Sequence, residues 1–320
     1  MNNITVFGAG AFGTALAISL ANDGRPVSLV ARNSAHAAEM SAARSNQARL
    51  PGVALPASLR PVHDIPDPSD VCLIAVPMQS LSGFLAQNAR VLDGRHLIAC
   101  CKGVDLTTGD GPSALIDRYC PTAVAAVLSG PSFATDIAAG LPTALTLATK
   151  DVSCGTDLQG QLSTANLRLY RSSDVIGVEM GGALKNVVAI AAGIAIGAGL
   201  GESARAALIT RGYSEMIRFA VAFGARAQTL AGLSGFGDLV LTATSTKSRN
   251  YTYGLCLGGG ETPAKSVTVE GVATAKAVSN IAKSRDIDMP LTDTVTALLE
   301  GKITVNRAID ALMSRPLKEE

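Results

Sequence analysis

The chain has 320 residues and a formal charge of +1, with 48% hydrophobic and 17% charged residues, 32 glycines and no tryptophan. This length can hold two domains with sizeable cores, and the near-neutral balance excludes a basic field for nucleic acid. Six cysteines (Cys72, Cys100, Cys101, Cys120, Cys154, Cys256) form no C-x-x-C pair and no metal-ligand spacing, which predicts a reduced, cytoplasmic protein without zinc or disulfides.

The apolar run Ile4–Phe7 predicts a first strand, followed directly by the G-x-G-x-x-G turn GAGAFG (8–13) and a helix over Thr14–Ala21. In that context each glycine has its own task. Gly8 permits the tight turn, Gly10 lets backbone approach a pyrophosphate, and Gly13 lets helix pack on strand. The helix N-terminus would aim unpaired N–H groups and a positive dipole end at the phosphates. A bound dinucleotide is therefore expected, in preference to a merely tight turn. Ile4–Ala21 is uncharged, but it lacks a positive n-region and is broken by three glycines, so it is not expected to be an export signal.

Further strands are predicted over Pro26–Ala31, Asp70–Val76, His96–Cys101, Ala123–Ser129, Ala144–Ala148 and Leu167–Tyr170. Short apolar runs separated by helical stretches predict an α/β, Rossmann-type, mostly parallel sheet with helices on both faces. Functional groups then belong at the carboxyl ends of the strands. Arg32 lies nineteen residues after Gly13, where an NAD-selective fold places an acid, and no acid occurs in Val27–Ser34. A guanidinium there can pair with a 2′-phosphate, so NADPH is expected with NADH tolerated; a solvated arginine opening a loop is the alternative. Lys102-Gly103 closes one strand, and Ser129-Gly130-Pro131-Ser132-Phe133 closes the next with a turn able to present N–H groups to an anion.

Near Gly177 strand signals stop and helical periodicity takes over, in Ala183–Ala198, Ala204–Phe223, Val272–Arg285, Leu291–Glu300 and Val305–Ser314. The expected division is a dinucleotide-binding domain over 1–177 and an all-helical substrate-binding and catalytic domain over 178–320, with a cleft for cofactor and substrate. Val187–Gly201, the longest apolar stretch here, is short for a membrane span and predicts a buried core helix. Lys185 falls inside GGALKNVVAIAAG, so it must either snorkel to water or be held by partners. A desolvated lysine titrates lower and can take the proton of an alcohol. Asp238 precedes the apolar Leu239–Leu241, and Thr246–Asn250 gathers cations and hydroxyls in one loop.

These residues together resemble the bacterial NAD(P)-dependent sn-glycerol-3-phosphate dehydrogenase family along nearly the whole chain. The likeness is carried by GAGAFGTALA (8–17), CKGVD (101–105), SGPSFA (129–134), GVEMGGALKNVVAIAAG (177–193), ALITRG (207–212), GFGDLVLT (235–242), SRN (248–250) and VEG (269–271). The resemblance implies reversible hydride transfer between dihydroxyacetone phosphate and sn-glycerol 3-phosphate, serving glycerophospholipid synthesis. It implies Lys185 as proton acceptor and donor, and Lys102 between cofactor and substrate. Gly130, Ser132, Asp238, Ser248, Arg249 and Asn250 would contact substrate. Phe12, Arg32, Ala134, Arg249, Thr268 and Glu270 would join Gly8, Gly10 and Gly13 at the cofactor, with Asp238 orienting Lys185.

The chain departs from the family pattern at Ala11, Ser132 and Ser203, where Ser, Thr and Asn are usual. None of these is the proposed base. Two other readings stay open on the sequence: a related reductase of the 6-phosphogluconate dehydrogenase-like group acting on a hydroxy acid, and a non-catalytic dinucleotide sensor. A homodimer is the expected assembly, since the apolar helical half offers surface for one.

Overall fold

The computed structural model describes residues 3–66, 70–263 and 269–313. Contacts divide the chain into two units, Met1–Lys102 with Asp110–Glu179, and Gly103–Gly109 with Met180–Glu320.

In the first unit, strands β1 (Ile4–Phe7), β2 (Val27–Val30), β5 (Leu59–Val62), β6 (Val71–Ile74), β7 (His96–Ala99), β8 (Val124–Ser129), β9 (Thr143–Thr149) and β10 (Leu167–Ser172) form one sheet. Its order is β10-β9-β8-β7-β6-β1-β2-β5, and β3 (Ser45–Asn46) pairs separately with β4 (Leu50–Ala54). The β8–β9 pairing is antiparallel and the others within the large sheet are parallel.

Strands β1, β2 and β6 are buried at every residue because helices cover both faces. Strand alternation sorts their side chains. Val71, Leu73 and Ile98 pack with Leu16 and Leu20 of α1 (Ala11–Asn22) and Leu158 of α6 (Val152–Leu162). Cys72, Ile74 and Leu97 pack on the other face with Leu81 and Leu85 of α3 (Met78–Leu92) and Leu115 of α4 (Pro112–Tyr119). Helices α2 (Ser34–Ala43) and α5 (Ala134–Ala138) complete this unit. Three short strands, β3, β4 and β5, were not expected from the sequence. Strand β5 reads LRPV, and its Pro61 is tolerated because it runs along the sheet edge.

The second unit contains α8 (Gly201–Ala222), α9 (Ala227–Leu230), a π-helical turn (Leu233–Gly237), α10 (Asp238–Ala243), α11 (Arg249–Gly258), α12 (Glu270–Ser284), α13 (Pro290–Leu299) and α14 (Val305–Met313). Its core gathers Leu184, Val188, Ile190, Met216, Phe219, Val278, Leu291 and Val295. A glycine seam lets α7 (Val175–Gly197) and α11 touch backbone to backbone. A Cβ on Gly193 or Gly197 would lie 2.1 Å from a carbonyl oxygen of α11, and one on Gly254 2.1 Å from the Ile190 oxygen of α7.

Two boundaries differ from the expected ones by a few residues or more. By contacts the units divide between Glu179 and Met180, inside helix α7 and two residues past the expected boundary, and Gly103–Gly109 groups with the second unit. The apolar helix is also longer than the run read from sequence. At 23 residues α7 is long and apolar enough to cross a membrane, but 89% of its most apolar stretch is buried inside the protein.

Candidate functional site

The β1–α1 turn of the first unit is shaped by missing atoms. Gly8 has φ +103°, and a Cβ there would lie 2.6 Å from the Ala75 oxygen. A Cβ on Gly13 would lie 2.1 Å from the Gly8 oxygen, whereas one on Gly10 would meet nothing within 4 Å. Gly10 also caps α1 without any side-chain hydrogen bond. Open space beside Gly10, at a helix N-terminus with no side-chain cap among the described residues, fits a pyrophosphate. Phe12 is half-buried against the core. Arg32 is exposed two residues past β2.

A second group in this unit surrounds Gly130. Lys102, just after β7, donates from Nζ to the Gly130 oxygen at 3.1 Å, and Ser132 Oγ donates to the same oxygen at 3.1 Å. Gly130 adopts φ +143°, and a Cβ would press on Leu145 at 3.1 Å, so the turn needs glycine here for both reasons. Ala134 opens α5.

In the second unit Lys185 is held rather than snorkelling: it is 6% exposed. Its Nζ donates to Asp238 Oδ1 at 2.7 Å and to Thr242 Oγ1 at 2.6 Å, and Thr242 Oγ1 donates to Asp238 Oδ1 at 3.3 Å. The local fold explains the meeting. Gly181 lies one turn before Lys185, and a Cβ there would strike the Ser234 oxygen at 2.6 Å, so α7 passes close to the π-helical turn that leads into Asp238. A buried ion pair contributes little net stability. What this one provides is an amine fixed in place by two partners.

Neighbouring polar groups are organised in the same unit. Asn250 Nδ2 donates to Asn186 Oδ1 at 3.0 Å, and Asn250 Oδ1 accepts from Gly271 N at 2.9 Å. Ser248 caps α11 by accepting from Tyr251 N at 3.2 Å, and Arg249 beside it is exposed. Glu270 opens α12, and Thr268 lies outside the described residues.

The geometry therefore brings Lys185 to Asp238, and Lys102 and Ser132 to Gly130, while it leaves Arg32 and Arg249 exposed. Sequence reasoning gave Thr242 no role. The signal was present, because a residue four places after Asp238 on a helix shares its face.

Residues 3–155 match the profile described as NAD-dependent glycerol-3-phosphate dehydrogenase N-terminus, and residues 174–310 match the corresponding C-terminus. Among curated proteins, glycerol-3-phosphate dehydrogenase (NAD(P)+) of Cereibacter sphaeroides is 57% identical over 318 residues, covering 99% of this chain and all of that protein. The protein of the same name from Ruegeria sp. is 56% identical over 320 residues, with 99% and 100% covered. The crystal structure of glycerol-3-phosphate dehydrogenase from Coxiella burnetii superimposes with a TM-score of 0.93 at 36% identity, covering 98% of this chain and 99% of that one. The chain belongs to the NAD-dependent glycerol-3-phosphate dehydrogenase family.

Proposed function

We propose that this protein reversibly reduces dihydroxyacetone phosphate to sn-glycerol 3-phosphate with a nicotinamide cofactor, supplying glycerophospholipid synthesis. The observation that carries the chemistry is the buried Lys185 amine fixed by Asp238 and Thr242. When bound, the nicotinamide supplies the hydride that adds to C2 of the ketone. Lys185 gives a proton to the C2 oxygen as the carbonyl π bond breaks, yielding the alcohol; in oxidation the neutral amine takes that proton back. Asp238 and Thr242 hold Nζ, so little reorganisation is needed at the moment of transfer.

The dinucleotide is assigned to Gly8, Gly10 and Gly13, with Phe12, Arg32, Lys102, Ala134, Arg249, Thr268 and Glu270. Arg32 favours the 2′-phosphate of NADPH. For the substrate, Arg249 supplies charge to the phosphate dianion, and Ser248 and Asn250 fix the loop that carries it. Lys102, Gly130 and Ser132 complete the substrate contacts.

The six cysteines are all free, which fits a reducing cytoplasm. Exposed Phe236 and Val240, with Tyr213 edge-on to Phe236 at 5.3 Å, offer apolar surface for a homodimer.

The test follows nicotinamide absorbance with dihydroxyacetone phosphate as substrate. Lys185→Ala is expected to lower kcat by about 10³-fold with cofactor affinity little changed. Persistent turnover in that variant would overturn the mechanism.

A further inference from the structure

Asn46 is 1% exposed, and the chemistry proposed above uses none of its atoms. Its Nδ2 donates to the Ala9 carbonyl at 3.1 Å and to Thr14 Oγ1 at 2.8 Å, so it ties one side chain to the middle of the glycine turn and to the first turn of α1. A carbonyl can only accept, which fixes the amide orientation: nitrogen faces Ala9. The remaining Oδ1 lies 3.1 Å from His36 Nε2, which must carry the hydrogen and donate. Every polar atom of this buried amide is thereby satisfied, as a rigid anchor requires.

The support beneath Asn46 is equally fixed. Arg44, in the left-handed region at φ 47°, ends α2 and redirects the chain into β3. Its guanidinium donates to the carbonyls of Leu55 and Leu59 at 3.1 Å each and also to that of Pro56, while Leu55 N returns a bond to the Arg44 oxygen at 2.8 Å. The β3–β4 pair is thus pinned independently of the glycine turn it touches.

We propose that Asn46 is a positioning residue for the dinucleotide, holding the glycine turn in the conformation that receives the pyrophosphate. This rests on the assignment of that turn to a nicotinamide dinucleotide. The physical reason is peptide planarity. In a trans peptide the N–H points opposite to the C=O, so drawing the Ala9 carbonyl toward Asn46 turns the Gly10 N–H the other way. Gly10, with open space beside it, eases rotation of that peptide, and a turn without the anchor would sample orientations that offer a phosphate a carbonyl instead of an N–H. The bond to Thr14 ties the same amide to the helix, so turn and dipole are set together.

The test compares Asn46→Ala and the near-isosteric Thr14→Val with the wild-type chain, by steady-state kinetics and by direct titration with NADPH and NADH. Asn46→Ala is expected to raise KM and Kd about tenfold for both coenzymes, with KM for dihydroxyacetone phosphate within twofold and kcat at saturating coenzyme largely kept. Thr14→Val is expected to give a smaller rise, about threefold, in the same constants. A purely structural role predicts a lowered melting temperature and a reduced active fraction, with coenzyme KM unmoved; that result overturns the proposal. If Asn46→Ala does not fold, unchanged coenzyme constants in Thr14→Val overturn it alone. Wild-type protein that binds neither dinucleotide overturns the parent reading as well, so the two failures are distinguishable.

Discussion

In the first unit the turn assigned to the cofactor is made by leaving atoms out: a Cβ on Gly8 or Gly13 would collide with backbone oxygen, and beside Gly10 there is open space. In the second unit the group proposed to transfer the proton is an added one, the Lys185 amine, enclosed by Asp238 and Thr242 in a core of aliphatic side chains. The first arrangement is steric and local in sequence. The second is electrostatic and joins residues 53 positions apart. They are therefore sensitive to opposite changes, one to gaining atoms and the other to losing them.

Removing atoms from the second unit should have the largest effect. Asp238→Ala removes the carboxylate paired with an ammonium that is 6% exposed, and should destabilise the fold by about 3–5 kcal/mol. Chemical denaturation would measure it. A loss below about 1 kcal/mol would mean that Lys185 finds another partner and that the enclosure is loose.

Adding one atom to the first unit is the mirror experiment. The Cβ of Gly13→Ala would lie 2.1 Å from the Gly8 oxygen, a backbone atom that cannot rotate away, so α1 must shift off β1. Overpacking of this kind costs about 1–3 kcal/mol or more. Coenzyme Kd should rise at least tenfold in direct titration, and an unchanged Kd would break the steric account of the turn.

A device shared by both units sharpens the comparison. Helices α4 and α13 each begin with proline after a residue that supplies no side-chain cap, and in each a buried glutamate from another helix caps instead. Glu179 accepts from Ser113 N at 2.6 Å; Glu215 accepts from Leu291 N at 2.5 Å, Thr292 N at 3.1 Å and Thr292 Oγ1 at 2.9 Å. Burial pushes both carboxyls up, Glu179 to about 7 from 4.5.

For Glu179 the sign follows from the raised value. The unfolded chain releases this proton near pH 4.5 and the folded chain near 7, so its contribution is intact below pH 4.5 and lost as pH rises through 7. Glu179→Gln keeps the acceptor and removes the charge. It should match the wild type at pH 4.5 and exceed it by up to roughly 3 kcal/mol at pH 8. A stability difference independent of pH between those limits would show that Glu179 stays charged.

Much of this was legible in the sequence for a physical reason. The glycine turn, the alternating strands and the helical second half are encoded within windows of a few residues, where steric and periodic rules act. Strand β5 was not, because Arg60 and Pro61 carry no strand propensity and only the sheet edge admits them. The fate of Lys185 was not either. Its flanking residues taken alone favoured snorkelling over enclosure, and the outcome depended on a π-helical turn about 50 residues away. Asn46 was invisible because its neighbours in sequence, Ser45 and Gln47, say nothing of Ala9 or Thr14.

The smallest expected effect tests coenzyme choice at the rim of the first unit. Arg32 is exposed, two residues past β2, and no acid occurs between Val27 and Ser34 to hold a ribose hydroxyl instead. A solvated guanidinium–phosphate pair contributes on the order of 1 kcal/mol, more when bidentate. Arg32→Ala should therefore raise KM for NADPH about five- to tenfold and leave KM for NADH within twofold. Because both charges face water, the NADPH penalty should shrink as salt is raised from about 0.05 M to 0.5 M, where screening shortens the reach of the charge to a few ångströms. Equal effects on the two coenzymes, or an effect indifferent to salt, would assign Arg32 to adenine stacking or to the loop itself, and remove the charge-based account of coenzyme choice.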